Sequence, residues 1–253
     1  MMDGSSTPLA VHYLPIATTI LSAIFAPILL RRYFKKTTSL HLLWWGLGII
    51  AFGIGTAIES SVTLLGNTVF QTKAWYIAGA LLGGYPLAQG TVYLLLKRST
   101  ANLLTWITLP FIAVVALLVI LSPVVPGALE PFRPSGSILS WSWVRLFTPF
   151  INIYAVIFLV GGAILSAYRF AKMKDVGHGH RAMGNVLIAI GGILPGIGGA
   201  MAKADVVEAL YIGEFIGLLF IWSGFTVVMR GRRPADSHAA TATTNDGTLQ
   251  ETT

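Results

Sequence analysis

The chain has 253 residues, of which 55% are hydrophobic and 11% are charged, and its formal net charge is +7. So few charged residues cannot cover the surface of a water-soluble globule, which excludes an ordinary soluble domain. Together with a mean hydropathy of +0.74, the composition indicates an integral membrane protein. Positive charge in such a protein contacts anionic lipid head groups of the bilayer, so no nucleic-acid partner is expected.

Seven apolar segments are long enough to cross a bilayer. A helix needs about 20 apolar residues to span the roughly 30 Å hydrocarbon core, because its backbone polar groups must be satisfied within the segment. The predicted fold is therefore all-α, with a seven-helix transmembrane domain over residues 1–233. The predicted spans cover residues 9–30, 39–58, 74–96, 103–125, 144–168, 182–202 and 207–229.

The distribution of basic residues predicts the orientation in the membrane. Most of the 17 Lys and Arg residues lie in one alternate set of connections between spans, and short loops rich in Lys and Arg stay in the cytoplasm. This predicts a plasma (inner) membrane protein with its N-terminus outside and its C-terminus in the cytoplasm. Residues 1–8 lack the basic residues of a cleavable signal peptide. Residues 234–253, rich in Ala, Thr, Asp and Asn, are predicted to form a disordered cytoplasmic tail.

The last three spans repeat features of the first three. Residues 53–57 (GIGTA) in the second span match residues 196–200 (GIGGA) in the sixth, and Tyr76 with Ile77 in the third matches Tyr211 with Ile212 in the seventh. If the matches reflect duplication, two parallel triplets flank a linking fourth helix, a 3+1+3 parallel repeat. The alternative is chance, because all apolar helices use Gly, Ile, Leu and Val.

This seven-helix plan resembles the architecture of SWEET-type sugar transporters and of microbial rhodopsins. The residue patterns depart from both families. Two residues separate Pro86 from Gln89, where the SWEET motif joins Pro to Gln, and no lysine lies between Val207 and Met229 to carry a retinal. No family is therefore assigned, and no cofactor is expected.

Glu214 is the most deeply placed ionisable residue. An ionisable group at the bilayer centre costs about 2.5–3.5 kcal/mol on insertion scales, so each is a candidate functional residue. Glu208, Tyr211 and Glu214 share one face of the seventh span, with Glu214 about 9 Å deeper than Glu208. Arg145, Thr148 and Asn152 share a face of the fifth span, which is a candidate to meet that face of the seventh. Glu214 must be paired with a cation such as Arg145 or be protonated, either as a proton- or ligand-binding group or as a buried bond between helices.

Glu59 ends the predicted second span at the same level. Like Glu208 and Arg145, it is close enough to the interface to form an ordinary rim ion pair. Both signs of charge nevertheless converge on the outer half of the membrane. This half is predicted to hold any small-molecule ligand.

Further polar residues lie in the third and sixth spans. Tyr85, Gln89 and Tyr93 form a stripe that either lines a cavity or packs against a neighbouring helix, and Asn185 is similar; packing is the favoured interpretation. Pro195, among several glycines, indicates either a discontinuous helix that binds ions or substrates, or a kinked packing face.

The segment ends carry other recognisable features. The tryptophans near span ends, which are Trp44, Trp45, Trp75, Trp141 and Trp143, are predicted to form an aromatic belt at the membrane interfaces. The outer connection 126–142 either covers an outward cavity or is only a linker. The small-xxx-small pairs Gly192/Gly196 and Gly213/Gly217 favour close helix packing, or a homo-oligomer through the same faces.

Catalytic and metal-binding patterns are not found in the sequence. There is no cysteine, and His178 and His180 have no neighbouring carboxylate or thiol, so no metal site is predicted. No nucleophile elbow, phosphate-binding glycine loop or catalytic His–acid pair is present, and an enzyme is not predicted. Two functions remain: a small-solute or proton-linked transporter, and a non-enzymatic ligand-sensing or accessory membrane protein. Short cytoplasmic loops offer little surface to a signalling partner, which favours transport.

Overall fold

The computed structural model describes residues 9–173, 178–202, 204 and 206–231. The predicted tail, residues 234–253, lies outside the described residues. Within the described part the chain is helical apart from its connections, which confirms the all-α prediction. Its α-helices are α1 (Leu14–Lys35), α2 (Leu40–Leu65), α3 (Val69–Trp75), α4 (Tyr85–Leu95), α5 (Arg98–Leu121), α6 (Phe147–Ala155), α7 (Gly162–Ala171), α8 (His178–Ala202) and α9 (Glu208–Arg230).

Six continuous helical segments are long and apolar enough to cross a membrane. They are Ala10–Lys35, Leu40–Leu65, Arg98–Leu121, Ser142–Ala171, His178–Ala202 and Glu208–Arg230. The first begins with a 3₁₀ turn, and the fourth joins a 3₁₀ turn, α6, a π-helical stretch and α7. The protein is therefore a multi-pass membrane protein whose apolar helices contact lipid.

The third predicted span, residues 74–96, is not one continuous helix. The chain of α3 continues as the π-helical stretch Tyr76–Leu81, bends at residues 82–84 and resumes as α4. Two glycines, Gly83 and Gly84, occupy the bend, and Pro86 lies in the first turn of α4. Glycine pairs permit sharp kinks, and proline is favoured in a first turn because its missing N–H is not needed there. The local sequence therefore explains the break.

The broken segment runs along α5 in the opposite direction. At its start, the Lys73 ammonium donates to the carbonyls of Ile120 (2.8 Å) and Ser122 (2.7 Å) at the end of α5. At its end, the Tyr93 hydroxyl donates to Asn102 Oδ1 (2.8 Å) at the beginning of α5. The segment formed by α3 and α4 therefore covers the same depth as α5.

Six of the segments form a ring in which each packs against two neighbours. The order round the ring is α1, α2, α3–α4, α6–α7, α8 and α9, and α9 packs back against α1. Phe25 of α1 stacks on Trp222 of α9 with ring centroids 5.2 Å apart. α5 lies outside the ring, and large apolar side chains such as Trp106 face outward from it. The 3+1+3 repeat stays a prediction.

The two last helices, α8 and α9, approach closely along a line of glycines. Gly184, Gly191 and Gly198 recur every seven residues on α8. A Cβ atom at any of these positions would lie 2.4–2.6 Å from a carbonyl oxygen of α9. Gly217 and Gly224 of α9 face α8 in the same way. We call this contact the glycine seam; it leaves no space for side chains between the two backbones.

The glycine seam differs from the predicted packing pairs. Gly213 and Gly217 do pack against α8, whereas Gly192 faces Leu159 of the π-helical stretch before α7. A Cβ atom at Gly196 would have no atom within 4 Å. α8 continues through Pro195 without interruption, so the discontinuous-helix alternative does not hold there. The homo-oligomer stays a prediction.

Candidate functional site

Glu59 is buried within the bundle rather than placed at a membrane interface. Only 1% of the surface of Glu59 is exposed. The predicted second span ended at residue 58, but α2 continues to Leu65, so Glu59 lies about 9 Å inside the helix end. Gly66, with a φ of 87°, ends the helix. The longer helix therefore turns a predicted rim residue into a buried acid.

Glu214 of α9 projects toward Glu59. The two carboxyl groups lie within hydrogen-bonding reach of each other. The Oε2 atom of each is buried and receives no hydrogen bond from any other group among the described residues. Two ionised carboxylates have no donor between them, so a hydrogen bond between these groups needs a proton on one of them. A proton on Glu59 or Glu214 would supply the donor that this contact otherwise lacks.

Trp75 supplies the other hydrogen bond to the pair. Its indole Nε1 donates to Glu59 Oε1 over 2.7 Å. An indole N–H is only a donor, so it binds the acceptor oxygen of Glu59 in either protonation state of the pair. The sequence interpretation assigned Trp75 to the aromatic belt, and this role was missed. Trp75 is the last residue of α3, directly before the π-helical stretch, so the carboxyl pair is joined to the broken helix.

Aromatic and hydroxyl groups of α1, α2 and α9 lie around the pair. Tyr211, one helical turn before Glu214, is 1% exposed, and its ring meets the edge of His12 with centroids 5.7 Å apart. The Thr63 hydroxyl, one turn beyond Glu59, donates to the His12 carbonyl over 3.0 Å. One turn before Glu59, the Thr56 hydroxyl of α2 is hydrogen-bonded to the Thr19 hydroxyl of α1 at 2.9 Å. The pair therefore lies where these three helices meet.

The predicted cationic partner of Glu214 is not in place. The charged group that interacts electrostatically with Glu214 is the carboxyl group of Glu59. Arg145 is exposed on the 3₁₀ turn before α6 and acts on Tyr76 instead. Of the two alternatives for Glu214, pairing with Arg145 does not hold, because the orientation of one helix relative to another cannot be read from residue spacing within each. A second acid, Glu59, lies against Glu214 instead.

Three further candidate residues lie apart from the pair. Glu208, the first residue of α9, and Asn152 of α6 are both exposed. Asn185 is half-buried, and its Nδ2 donates to the Arg181 carbonyl one turn earlier in its own helix (2.7 Å). Of the acids and aromatic residues predicted for the outer half, the structure brings together Glu59, Tyr211 and Glu214.

Gln89 is the centre of a second polar cluster, between α4, α5 and α6. The side chain is fully buried. Its Nε2 donates to the Ala101 carbonyl (3.2 Å) and to Thr105 Oγ1 (2.7 Å), and its Oε1 accepts from the Tyr154 hydroxyl. The amide groups of Gln89 are therefore used within the protein, which favours packing over the cavity-lining alternative.

The rest of the predicted stripe belongs to the same cluster. The Tyr85 hydroxyl is 2.6 Å from Thr108 Oγ1, and the Tyr93 hydroxyl is 3.1 Å from Thr105 Oγ1. The sequence interpretation missed the partners on α5. Their spacing of three residues, at Asn102, Thr105 and Thr108, was a usable signal because it places polar groups on one face of an apolar helix.

The connection between α5 and α6 packs over the end of the bundle near the pair. Asn67 Nδ2 donates to the carbonyls of Glu130 (2.7 Å) and Arg133 (3.1 Å). Arg133 and Glu130 form an ion pair at 2.7 Å, and both charges act on Tyr211. Ile138 is buried. The connection is therefore a packed cover over this end, not a loose linker.

The carboxyl pair is closed in this structure. A surface groove of about 300 Å³ is lined by α9 residues from Leu219 to Arg230, more than one turn beyond Glu214. It therefore includes neither Glu59 nor Glu214.

No protein-family model, curated protein or solved structure matches this chain. Among the described residues, no group of three or more His, Cys, Asp or Glu side chains converges to hold a metal ion. Function is therefore inferred from the carboxyl pair and its surroundings.

Proposed function

We propose that the protein is a proton-linked transporter of a small solute, in which the Glu59–Glu214 pair takes up and releases the proton. The observation that carries the proposal is the contact of two enclosed carboxyl groups from α2 and α9, each with an oxygen that lacks a donor. Acids inside a membrane are costly to keep, so a buried pair favours a functional role over simple packing.

The proton changes the force between α2 and α9. With one proton, a charge-assisted hydrogen bond holds the two helices together. Without it, two carboxylates repel each other in surroundings of low dielectric constant. Glu59 also accepts from Trp75, so the change reaches the end of α3 and the π-helical stretch that follows. Such irregular helical stretches are frequent at functional sites. Movement of this broken helix would open a route to the pair.

Replacing Glu214 by Gln is expected to abolish proton-dependent uptake of the solute. The amide cannot exchange a proton, although it has nearly the same shape as the carboxyl group. The measurement is uptake of a broad panel of neutral, anionic and cationic solutes into proteoliposomes at two pH values. Glu208→Gln is the matched control, because it removes an exposed carboxylate from the same helix and should leave uptake unchanged. Equal uptake of every solute by wild type and Glu214→Gln would refute the transporter.

We also propose seven membrane crossings, with the N-terminus outside and the C-terminus in the cytoplasm of a cell with a plasma or inner membrane. The broken segment supports the seventh crossing, since its two ends meet the two ends of α5. The basic residues support the orientation: Arg31, Arg32, Lys97 and Arg169 lie at the end of the bundle away from Glu59.

Single cysteines test both proposals, because the natural chain has none. Thr68→Cys and Ser137→Cys are expected to react with a membrane-impermeant maleimide in intact cells. Ser99→Cys should react only after permeabilisation. All three residues are exposed in connections or at a helix end. Labelling of Thr68→Cys and Ser99→Cys from the same side would mean that the broken segment does not cross.

A further inference from the structure

We infer that the solute exchanged for the proton is a monovalent alkali cation, bound between the Oε2 atoms of Glu59 and Glu214. The inference rests on the proposed proton-linked function and names the substrate class for the same site. The geometry that carries it is the contact between two buried carboxyl groups from different helices, each with one oxygen that lacks a donor.

Among the described residues, the immediate contacts of the pair supply no positive charge. Glu59 and Glu214 contact each other, and Trp75 adds a neutral donor. In the part of the chain that the structure describes, the titratable and charged groups on neighbouring elements at this level are His12, Lys73, Tyr76, Tyr211, Glu130, Arg133 and, beside Tyr76, the exposed Arg145. The Lys73 ammonium donates to two carbonyls at the end of α5, and the Arg133 guanidinium binds Glu130 through two nitrogens. The head groups of both basic residues are therefore engaged elsewhere.

Proton and cation balance the same charge. Two ionised carboxylates in contact repel each other, and the repulsion is strong in surroundings of low dielectric constant. When the carboxyl O–H bond ionises, the proton passes to water and the pair gains one negative charge. A monovalent cation between the two Oε2 atoms restores the former net charge. Each ion can leave at low cost only when the other arrives, which couples their movements in opposite directions.

The ligand atoms and the space select the kind of cation. Carboxylate oxygens are hard ligands that suit alkali and alkaline-earth ions rather than soft transition metals. Calcium takes 6–8 oxygen ligands, whereas this site supplies two side-chain carboxyls, and the described residues contain no larger acidic cluster. The pair is enclosed, so a bare ion fits better than a bulky organic cation. These features together favour sodium or potassium.

Binding of radioactive sodium to the purified full-length protein tests the inference. Sodium is expected to bind at about pH 8 and to weaken by up to about tenfold for each unit of acidification, because one proton competes with one ion. Glu59→Gln and Glu214→Gln should each lose the binding, and Glu208→Gln should keep it. Excess potassium identifies the preferred alkali ion by competition. The inference would be overturned if the affinity for sodium and potassium did not change with pH, or if Glu214→Gln still bound these ions.

Two further measurements distinguish loss of cation binding from misfolding, and distinguish this inference from the proposed function. Glu214→Asp keeps the charge on a shorter side chain and should retain weakened, pH-dependent binding, whereas a variant that fails to fold shows an altered elution profile in size-exclusion chromatography. If the protein takes up a neutral or anionic solute with protons and binds no alkali cation, the inference is overturned and the proposed function stands. If it shows neither activity, both are overturned.

Discussion

Gly191→Ala is expected to destabilise the protein by about 1–3 kcal/mol, whereas Gly196→Ala, on the same helix, is expected to leave stability unchanged or to raise it slightly. A Cβ atom at Gly191 would lie 2.5 Å from the Gly217 carbonyl oxygen and 2.8 Å from the Ile221 nitrogen. These are backbone atoms, so the methyl group can be accommodated only by separating α8 from α9. Gly196 has open space, and alanine favours the helix.

Thermal unfolding in detergent measures both changes, since 1 kcal/mol shifts the midpoint by about 2–4 °C for a domain of 150–250 residues. Gly217→Ala, on the opposite side of the glycine seam, should behave like Gly191→Ala. The double variant should cost less than the sum of the two single changes, because the first methyl group already separates the helices. Equal stability of Gly191→Ala and Gly196→Ala would contradict the glycine seam.

Gln89→Leu is expected to cost about 1–3 kcal/mol, because it leaves the partly buried Tyr154 hydroxyl without its acceptor. The amide of Gln89 joins α4 to α5 and α6. Asn185→Leu removes a similar polar group but should change stability by no more than about 0.5–1 kcal/mol. Its hydrogen bond returns to the Arg181 carbonyl of its own helix and joins no second element.

A double-variant cycle isolates the contribution of the network. Combining Gln89→Leu with Tyr154→Phe removes the orphaned hydroxyl, so the double variant should be more stable than the sum of the single losses predicts, by about 0.5–3 kcal/mol. Unfolding in detergent again gives the measurement. If the losses of unfolding free energy are additive, or if Asn185→Leu loses as much as Gln89→Leu, the polar cluster around Gln89 does not stabilise the packing of α5.

The membrane helices could be predicted from the sequence because a lipid-exposed helix must be long, apolar and internally hydrogen-bonded. Six predicted spans have a continuous counterpart. The break in the third was hidden by its uniformly apolar composition, although Gly83, Gly84 and Pro86 were visible. The ends of the helices were harder to predict from the sequence. α2 runs past residue 58: Glu59 accepts a hydrogen bond from Trp75 of α3, and the hydroxyls of Ser60 and Ser61 donate to carbonyls of α2 itself. Gly66 was the available stop signal.

The carboxyl pair was only half predictable. Glu214 was recognised by its depth in an apolar segment. Its partner Glu59 was named but interpreted as a rim residue, and Arg145 was named only as an example of a cation for one of the two alternatives at Glu214. Which side chains meet depends on the relative rotation of helices that are far apart in sequence, and hydropathy carries little information about rotation when lipid and protein interior are equally apolar. For the same reason Trp75 resembled an interfacial anchor.

The position of α5 outside the ring has a consequence for biosynthesis. It is the most apolar of the six continuous spans, with a mean hydropathy of 2.6, and it is attached through hydrogen bonds from Lys73, Tyr85 and Gln89. Such a helix is stable in lipid before it has protein neighbours, so it is expected to insert on its own and to dock afterwards. Lipid tails solvate its apolar face as well as protein does. Formation of the hydrogen bonds from Lys73, Tyr85 and Gln89 to α5 is therefore the step that completes the assembly of the bundle.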